Sequence, residues 1–223
     1  DTDLYIYDVN GTTSILSAST YGLTEQIQFN SLMPGTYYIR VYGYTGHGGY
    51  TITSTYTQTS FNGVLTNDSE KNDSYSTAVS YFAFNSAGSS TNYGHLGFYT
   101  NSYTDWEDWW VVTTSTDGKL VIKTESNPTL DVDIYLFDVN GTTSIKSASS
   151  YGTNEQLTFD NLASGKYYVR IYKYSGYGSY KITEEFSTPS LSNDSEINDT
   201  PANALLISPE TKMTGHLGYY SNS

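Results

Sequence analysis

The stretch "KYYVRIYKYSGYGSYKITEEF", residues 166–186, carries the clearest indication of the fold. In its first half Tyr167, Val169 and Ile171 fall on one face of an extended strand, because successive side chains point to opposite sides. Two tyrosines and an arginine fall on the other face. Glycines follow, and the alternation then resumes. Two such runs separated by glycines predict a pair of strands that each bury one face.

Four further stretches upstream alternate in the same way and are bounded by Gly, Asn, Asp or Ser. They read "WWVVTTS", "GKLVIKTE", "VDIYLFDV" and "QLTFDNL". Asp117-Gly118 and Asn140-Gly141 are typical of turns between strands. The 24 tyrosines suit half-buried pleated surfaces, and no window has an apolar helical period. The sequence therefore predicts an all-β fold, with antiparallel jelly-roll β-sandwich domains in tandem.

Internal repetition sets the domain organisation. "DTDLYIYDVNGTTSI" at residue 1 returns as "DVDIYLFDVNGTTSI" at residue 131, and 31 of the first 56 positions are identical at this offset of 130. The offset falls to 126 at "NDSEKND" and "NDSEIND", and to 121 at "GHLGFYTNS" and "GHLGYYSNS". One unit is thus about 125 residues, an ordinary domain size.

The chain is out of phase with this unit. We predict that residues 1–66 form the C-terminal half of one repeat, residues 67–192 a complete β-sandwich, and residues 193–223 the N-terminal part of a further repeat. The expected parent is a longer tandem array.

Charge and composition exclude several classes of protein. The net charge of −13 disfavours nucleic acid and anionic lipid as partners. The chain has no cysteine, so neither disulfides nor a thiolate metal site is available. No apolar segment is long enough to span a bilayer, so we expect no membrane insertion. No HExxH or GxSxG motif is present, and we expect no enzyme activity.

The repeated unit resembles the bacterial pre-peptidase C-terminal domain, a family that includes the collagen-binding domain of secreted collagenases. The matching stretches are "NDSEKND", "DWEDWWVV", "GKLVIKT", "LDVDIYLFDVNG" and "LASGKYYVRIYKYSGYGSYKIT". They cover residues 67 to about 186, with counterparts in both partial units. The resemblance implies a secreted, non-catalytic β-sandwich, located outside the cell or on its surface.

The resemblance also implies a calcium site. Collagen-binding members hold calcium with an acidic linker and two loop aspartates, and carboxylates and amide carbonyls are ligands that Ca²⁺ prefers. The residues at the matching positions are Asp68, Glu70, Asn72, Asp73, Asp105 and Asp108. The linker part recurs as Asp194, Glu196, Asn198 and Asp199, which predicts a second, partial metal site. The alternative is a solvated acidic linker without a bound ion.

Six asparagines stand in N-x-Ser/Thr sequons and are candidate glycosylation sites. They are Asn10, Asn67, Asn72, Asn140, Asn193 and Asn198. The competing interpretation is that Asn, Asp, Ser and Gly simply make turns, which we favour if the host is a bacterium.

Several other polar and aromatic residues receive structural interpretations. His95 and His216 share one repeat position and are expected to be turn or packing residues. Glu184 and Glu185 are expected at the solvated end of a strand. We expect alternation to bury some of the tryptophans in "DWEDWW", residues 105–110.

Two functions remain open. The first is a structural or adhesive array, a stalk or a head-to-tail fibre of copies or neighbouring repeats. Joining the two ends of the chain would leave out the equivalents of residues 103–130. The second is a module that holds a secreted hydrolase on collagen, other matrix or polysaccharide, using exposed tyrosines. The candidates are Tyr168, Tyr172 and Tyr174, with Tyr38, Tyr42 and Tyr44 in the first half-unit.

Overall fold

The structure, a computed structural model, describes residues 1–58, 60–65, 71–100, 103–194 and 198–220. All regular elements of these residues are strands. They are β1 (Thr2–Tyr7), β2 (Ser14–Ala18), β3 (Tyr38–Gly43), β4 (Ser60–Phe61), β5 (Val64–Leu65), β6 (Val79–Phe84), β7 (Gly88–Leu96), β8 (Tyr99–Thr100), β9 (Tyr103–Thr104), β10 (Glu107–Thr114), β11 (Gly118–Ser126), β12 (Leu130–Phe137), β13 (Ser144–Ala148), β14 (Asn154–Leu162), β15 (Gly165–Gly176) and β16 (Gly178–Ser187).

Two sheets built from β6, β7 and β10 to β16 form the sandwich. One has the order β13-β12-β15-β10-β6, and the other has the order β14-β11-β16-β7. Trp110, Tyr167 and Tyr180 are fully buried between them, together with aliphatic side chains such as Leu120 and Ile134. The predicted all-β sandwich is confirmed. In the part of the chain that the structure describes, no helix has the length and apolarity to span a membrane.

The strands predicted between residues 109 and 186 coincide with β10, β11, β12, β14, β15 and β16. In β15 the face with Tyr167, Val169 and Ile171 is completely buried, as the alternation predicts. However, β15 and β16 lie in different sheets. Gly176 allows the crossing: its φ is 79°, and a Cβ there would lie 1.8 Å from the Thr129 carbonyl oxygen.

One strand pair departs from the antiparallel prediction, because β6 runs parallel to β10. The chain leaves β6 in the first sheet, passes through β7 in the second sheet, and returns to the first sheet at β10. Alternation along a strand shows which residues share a face, but it carries no information about such a change of sheet.

The first half-unit repeats the architecture of the sandwich. Strands β2-β1-β3 pair as β13-β12-β15 do, with Leu4 opposite Ala18 and Ile134 opposite Ala148. In the half-unit, the face of this sheet that corresponds to the core face of the sandwich borders an open cavity of about 2010 Å³. Residues 79–187 of the sandwich lie within the predicted complete unit, 67–192. The domain boundaries themselves stay a prediction.

Candidate functional site

The predicted calcium ligands that the structure describes lie where the chain enters the sandwich. Asn72, Asp105 and Asp108 are all completely buried. The Asn72 carbonyl accepts a hydrogen bond from Trp109 N at 2.9 Å. This bond ties residues 71–78, which we call the entering segment, to β10 beside Asp108. The Asp105 backbone is held at both ends, with its N donating to Phe98 O and its O accepting from Gly97 N.

These side chains supply hard oxygen atoms in a buried place. The amide oxygen and nitrogen of Asn72 have no hydrogen-bond partner among the described residues. A buried amide without a partner is costly, so this one is suited to a ligand. The described residues include no group of three His, Asp or Glu side chains placed to hold a metal ion. Asp68 and Glu70 lie outside the described residues. The donor chemistry of Asn72 with two carboxylates fits calcium.

A buried hydrogen-bond chain joins this site to the opposite sheet. Trp110 Nε1 donates to the Tyr180 hydroxyl at 3.0 Å, and that hydroxyl donates to Asp108 Oδ2 at 2.5 Å. Trp110 and Asp108 belong to β10 and Tyr180 belongs to β16, so the chain spans the core. The sequence contained both aromatic residues but gave no sign that they meet.

Lys173 is a further charged group beside the site. It is 8% exposed, and its Nζ lies 3.8 Å from the centre of the Trp106 ring. Burial lowers the pKa of Lys173, and the nearby Asp105 carboxylate partly opposes that shift. The equivalent residue in the first half-unit is Gly43, so repetition could not have identified this lysine.

The second predicted metal set is more open. Asp194 Oδ2 accepts from Asn198 Nδ2 at 2.6 Å, and this bond is the main reason that the pKa of Asp194 is lowered. Asp199 is exposed, and Glu196 lies outside the described residues.

The sequon asparagines separate into two kinds. Asn72 is fully buried, so the glycosylation prediction is wrong there: its amide nitrogen cannot reach a transferase. Asn10 and Asn140 are exposed, and each donates Nδ2 to the hydroxyl of a threonine three residues ahead. In Asn193 and Asn198 the Nδ2 atom donates to an aspartate. Asn67 lies outside the described residues. These bonds agree with the turn interpretation.

The tyrosines predicted as a binding surface differ in exposure. Tyr168 is only 6% exposed, so the prediction is wrong for this residue. Tyr75, from the entering segment, packs on the outer face with its ring 5.8 Å from Tyr168. Tyr172 is half-buried, with the Arg170 guanidinium 4.5 Å from its ring centre. Tyr174 is exposed. In the first half-unit Tyr38, Tyr42 and Tyr44 are also exposed.

Glu184 corrects another expectation. It is completely buried rather than solvated, and its carboxyl oxygens find no hydrogen-bond partner among the described residues. Burial raises its pKa well above the usual value. Glu185, next to it, points outward and pairs with Lys123 at 2.7 Å. The sheet faces explain the difference, because adjacent residues of β16 point to opposite sides.

A contact between repeats, which the sequence did not reveal, centres on Tyr99. Its N donates to Ser31 O at 2.8 Å, and its carbonyl accepts from Met33 N at 3.0 Å. The Tyr37 hydroxyl donates to the Met33 and Tyr99 carbonyls. The Tyr99 ring lies 6.1 Å from the ring of Phe29. The complete unit is thereby attached to the half-unit before it.

The same contact recurs at Tyr220, which attaches the following partial unit to the sandwich. Tyr220 N donates to Asn161 O at 2.7 Å, and its carbonyl accepts from Ala163 N at 2.8 Å. The Tyr167 hydroxyl donates to the carbonyls of Ala163 and Tyr220. The Tyr220 ring lies 5.8 Å from Phe159. Each residue is the repeat equivalent of its counterpart at the first contact. We call the two sites the tyrosine junctions.

An aspartate completes each tyrosine junction. The Tyr99 hydroxyl donates to Asp8 Oδ2 at 3.2 Å. At the other junction, burial raises the pKa of Tyr220, and the charge of Asp138 and a hydrogen bond to it raise that pKa further.

A histidine adds to the second junction. His216 places Nδ1 3.2 Å from Asp117 Oδ2 and Nε2 2.7 Å from Leu191 O. Asn193 Nδ2 donates to the same Asp117 oxygen. This agrees with a packing residue. His95, its counterpart, is buried with its ring edge-on to Phe98.

Comparison with known families identifies the repeat. The family model for the bacterial pre-peptidase C-terminal domain matches residues 1–43 and 107–173. The two matched stretches of the chain are pre-peptidase C-terminal sequence. At the offset of 130, residues 1–43 of the match correspond to residues 131–173. The pre-peptidase C-terminal domain is a non-catalytic accessory domain, and it occurs in secreted bacterial proteins.

Two solved structures are similar to parts of the chain. One is the pre-peptidase C-terminal domain of collagenase from Bacillus anthracis, with 19% identity and a TM-score of 0.39 over 48% of this chain and 93% of that chain. The other is PliG of Aeromonas hydrophila, a periplasmic inhibitor of g-type lysozyme, with 13% identity and a TM-score of 0.34 over 49% of this chain and 97% of that chain.

Proposed function

We propose that this chain is a segment of an extracellular structural array, in which pre-peptidase C-terminal repeats are joined end to end by the tyrosine junctions. The equivalence of the contacts at Tyr99 and Tyr220 carries the proposal. A flexible linker would require no recurring contact. A recurring contact gives each repeat the same rotation relative to its neighbour, which is the geometry of a regular stack.

The junctions favour an array over strand exchange between the ends of two copies. Strand β10 lies between β15 and β6, and β11 lies between β14 and β16. The equivalents of both strands are absent from residues 1–66 and from residues 193–223. A unit joined from these ends would lack a central strand in each sheet, so we assign the end-to-end contact to the junctions.

We further propose that calcium bound by Asn72, Asp105 and Asp108 stiffens the array, together with Asp73 and the linker carboxylates Asp68 and Glu70. The ion would supply positive charge to carboxylates that the fold buries. The hydrogen bond from Trp109 N to Asn72 O holds the entering segment against the start of β10, which brings Asn72 close to Asp108.

Replacing Asp105 with asparagine is expected to abolish stabilisation by calcium. In the wild-type chain, calcium at ten times its dissociation constant should raise the free energy of unfolding by about 1.4 kcal/mol. Thermal unfolding with calcium and with a chelator measures this shift. Asp160→Asn is the matched control, because Asp160 is an exposed carboxylate paired with Lys119. An equal shift in both variants, or none in the wild type, would contradict the calcium assignment.

Replacing Tyr99 with alanine is expected to loosen the first junction. Loss of a half-buried ring and its hydroxyl bond to Asp8 should cost the junction roughly 2 kcal/mol. Small-angle scattering should then show a larger radius of gyration, while the sandwich keeps its melting temperature. Tyr50→Ala removes an exposed ring from the half-unit that Tyr99 contacts and serves as the control. Unchanged scattering in the Tyr99 variant would mean that this ring does not hold the junction.

Electron microscopy of native extracellular material tests the array itself. We expect rods or filaments with a spacing of one repeat, which a calcium chelator loosens. Isolated monomers that do not respond to chelator would refute the array. They would favour the second function, a targeting module, with Tyr42, Tyr44 and Tyr174 as the exposed rings to test on insoluble substrates.

A further inference from the structure

Two pairs of exposed tyrosines occupy equivalent places in the repeats. Tyr151 and Tyr174 are 87% and 51% exposed, with ring centres 5.5 Å apart and planes at 86°. Their hydroxyl oxygens are 3.2 Å apart. Tyr21 and Tyr44 form the equivalent pair 130 residues earlier, with ring centres 6.0 Å apart and planes at 82°.

Burial does not explain these pairs. Tyr151 and Tyr21 each keep almost nine-tenths of their surface in water, so little hydrophobic free energy holds them. Both rings are carried on turns, after β13 and after β2, while their partners lie in β15 and just after β3. Each pair therefore joins a surface turn to a strand of the sheet.

The contact also brings reactive carbon atoms together. One-electron oxidation of a phenol, with loss of its proton, leaves a radical whose unpaired electron is shared by the oxygen and the two adjacent ring carbons. In Tyr151 and Tyr174 the hydroxyls meet, so the carbons next to them are neighbours as well. Solvent exposure leaves both rings open to an oxidant.

We infer that the Tyr151–Tyr174 and Tyr21–Tyr44 pairs are sites of oxidative cross-linking by a haem peroxidase that uses hydrogen peroxide. Each tyrosine gives up one electron and one proton, and the two radicals join through a new carbon–carbon bond ortho to the hydroxyls. The two ring hydrogens displaced from those carbons move to the oxygens and restore the phenols. One peroxide molecule accepts the two electrons and two protons and becomes two water molecules.

Such a bond would take the place of a disulfide. The chain has 24 tyrosines and no cysteine. A bond between Tyr151 and Tyr174 closes a loop that spans 23 positions of the chain, and closing a loop stabilises a fold by restricting its unfolded state. This inference does not depend on the array, because each cross-link lies within one repeat.

The test treats the dilute, full chain with a haem peroxidase and hydrogen peroxide, and then maps cross-linked peptides by mass spectrometry. We expect the 151–174 and 21–44 peptides to dominate, with dityrosine fluorescence and a higher melting temperature. Tyr151→Phe should lose the first peptide and keep the second, so the other pair is an internal control. The phenylalanine ring keeps the packing, which separates chemistry from folding.

Tyr50 and Tyr56 provide the comparison for exposure alone. Both are exposed, at 66% and 70%, and neither ring lies against a second tyrosine among the described residues. Cross-links spread evenly over these residues, or formed only between chains, would overturn the inference. So would a Tyr151→Phe variant in which the yield of the 21–44 peptide falls as well.

Discussion

Replacing Tyr180 with phenylalanine is expected to lower the free energy of unfolding by roughly 3 kcal/mol. The change keeps the ring but removes the hydroxyl that accepts from Trp110 Nε1 and donates to Asp108 Oδ2 in the middle of the core. A hydrogen bond to a buried carboxylate is worth about 1.5–3 kcal/mol, and a neutral one about 1 kcal/mol. Urea unfolding measures the loss.

Tyr167→Phe is the matched control for Tyr180→Phe. Tyr167 is also a fully buried tyrosine, but its hydroxyl donates to the neutral carbonyls of Ala163 and Tyr220. We expect this variant to lose only about 1 kcal/mol. Equal losses in the two variants would show that the hydrogen bond from Tyr180 to Asp108 stabilises the fold no more than a bond to a neutral carbonyl does. The calcium response of Tyr180→Phe should also weaken, because Asp108 loses the bond that orients it.

Replacing Glu184 with leucine is expected to stabilise the sandwich by about 1–3 kcal/mol at neutral pH. The wild-type carboxyl group is buried and finds no hydrogen-bond partner among the described residues. Folding therefore incurs the free-energy cost of removing this group from water without compensation. Glu184→Gln tests the same point with a side chain of nearly the same shape, and it should remove the pH dependence described next.

The pH dependence of stability has a definite sign. Because burial raises the pKa of Glu184 in the folded state, the folded chain binds its proton more tightly than the unfolded chain does. The contribution of this residue is therefore most favourable below the unfolded pKa, near 4.3, and is lost progressively as the pH rises from there to the folded pKa. The stabilisation by Glu184→Leu should thus be smallest in acid and grow toward neutral pH.

Glu185→Leu provides the control for Glu184→Leu. Glu185 is the next residue of the same strand, but its side chain is 45% exposed and pairs with Lys123 at the surface. Its replacement should change stability by no more than about 0.5 kcal/mol, with no growth toward neutral pH. If Glu184→Leu destabilises the chain at all pH values, the burial of an uncompensated carboxyl is refuted.

The candidate site was only partly predictable. The spacing of Asp105 and Asp108 and the linker pattern around Asn72 pointed to these residues as candidates, since they follow a family motif, although Asp108 lies in β10. The same patterns could not predict Lys173, which has no counterpart in the other copy, or Tyr180, which reaches the site from the other sheet. Such residues are brought in by the packing of distant strands, and no local period records that packing.

The tyrosine junctions show a similar limit. The repeat offsets align Tyr99 with Tyr220 and Phe29 with Phe159, so the sequence contained both sets of equivalent residues. It did not show that Tyr99 touches Phe29 or that Tyr220 touches Phe159, because the partners at each junction lie in adjacent repeats and are separated by about 57 to 70 positions. Only the placement of neighbouring repeats joins them.

The amino-acid sequence by itself determined six strands of the sandwich, the repeat, and the buried face of residues 166–174, because alternation of side chains is a local property of extended backbone. The tertiary structure alone decided what covers each face. It buried Tyr168 under Tyr75 and turned Glu184 into the core. It also placed β15 and β16 in different sheets. The reason is physical: alternation divides a strand into two faces, but only packing against other segments decides which of them meets water.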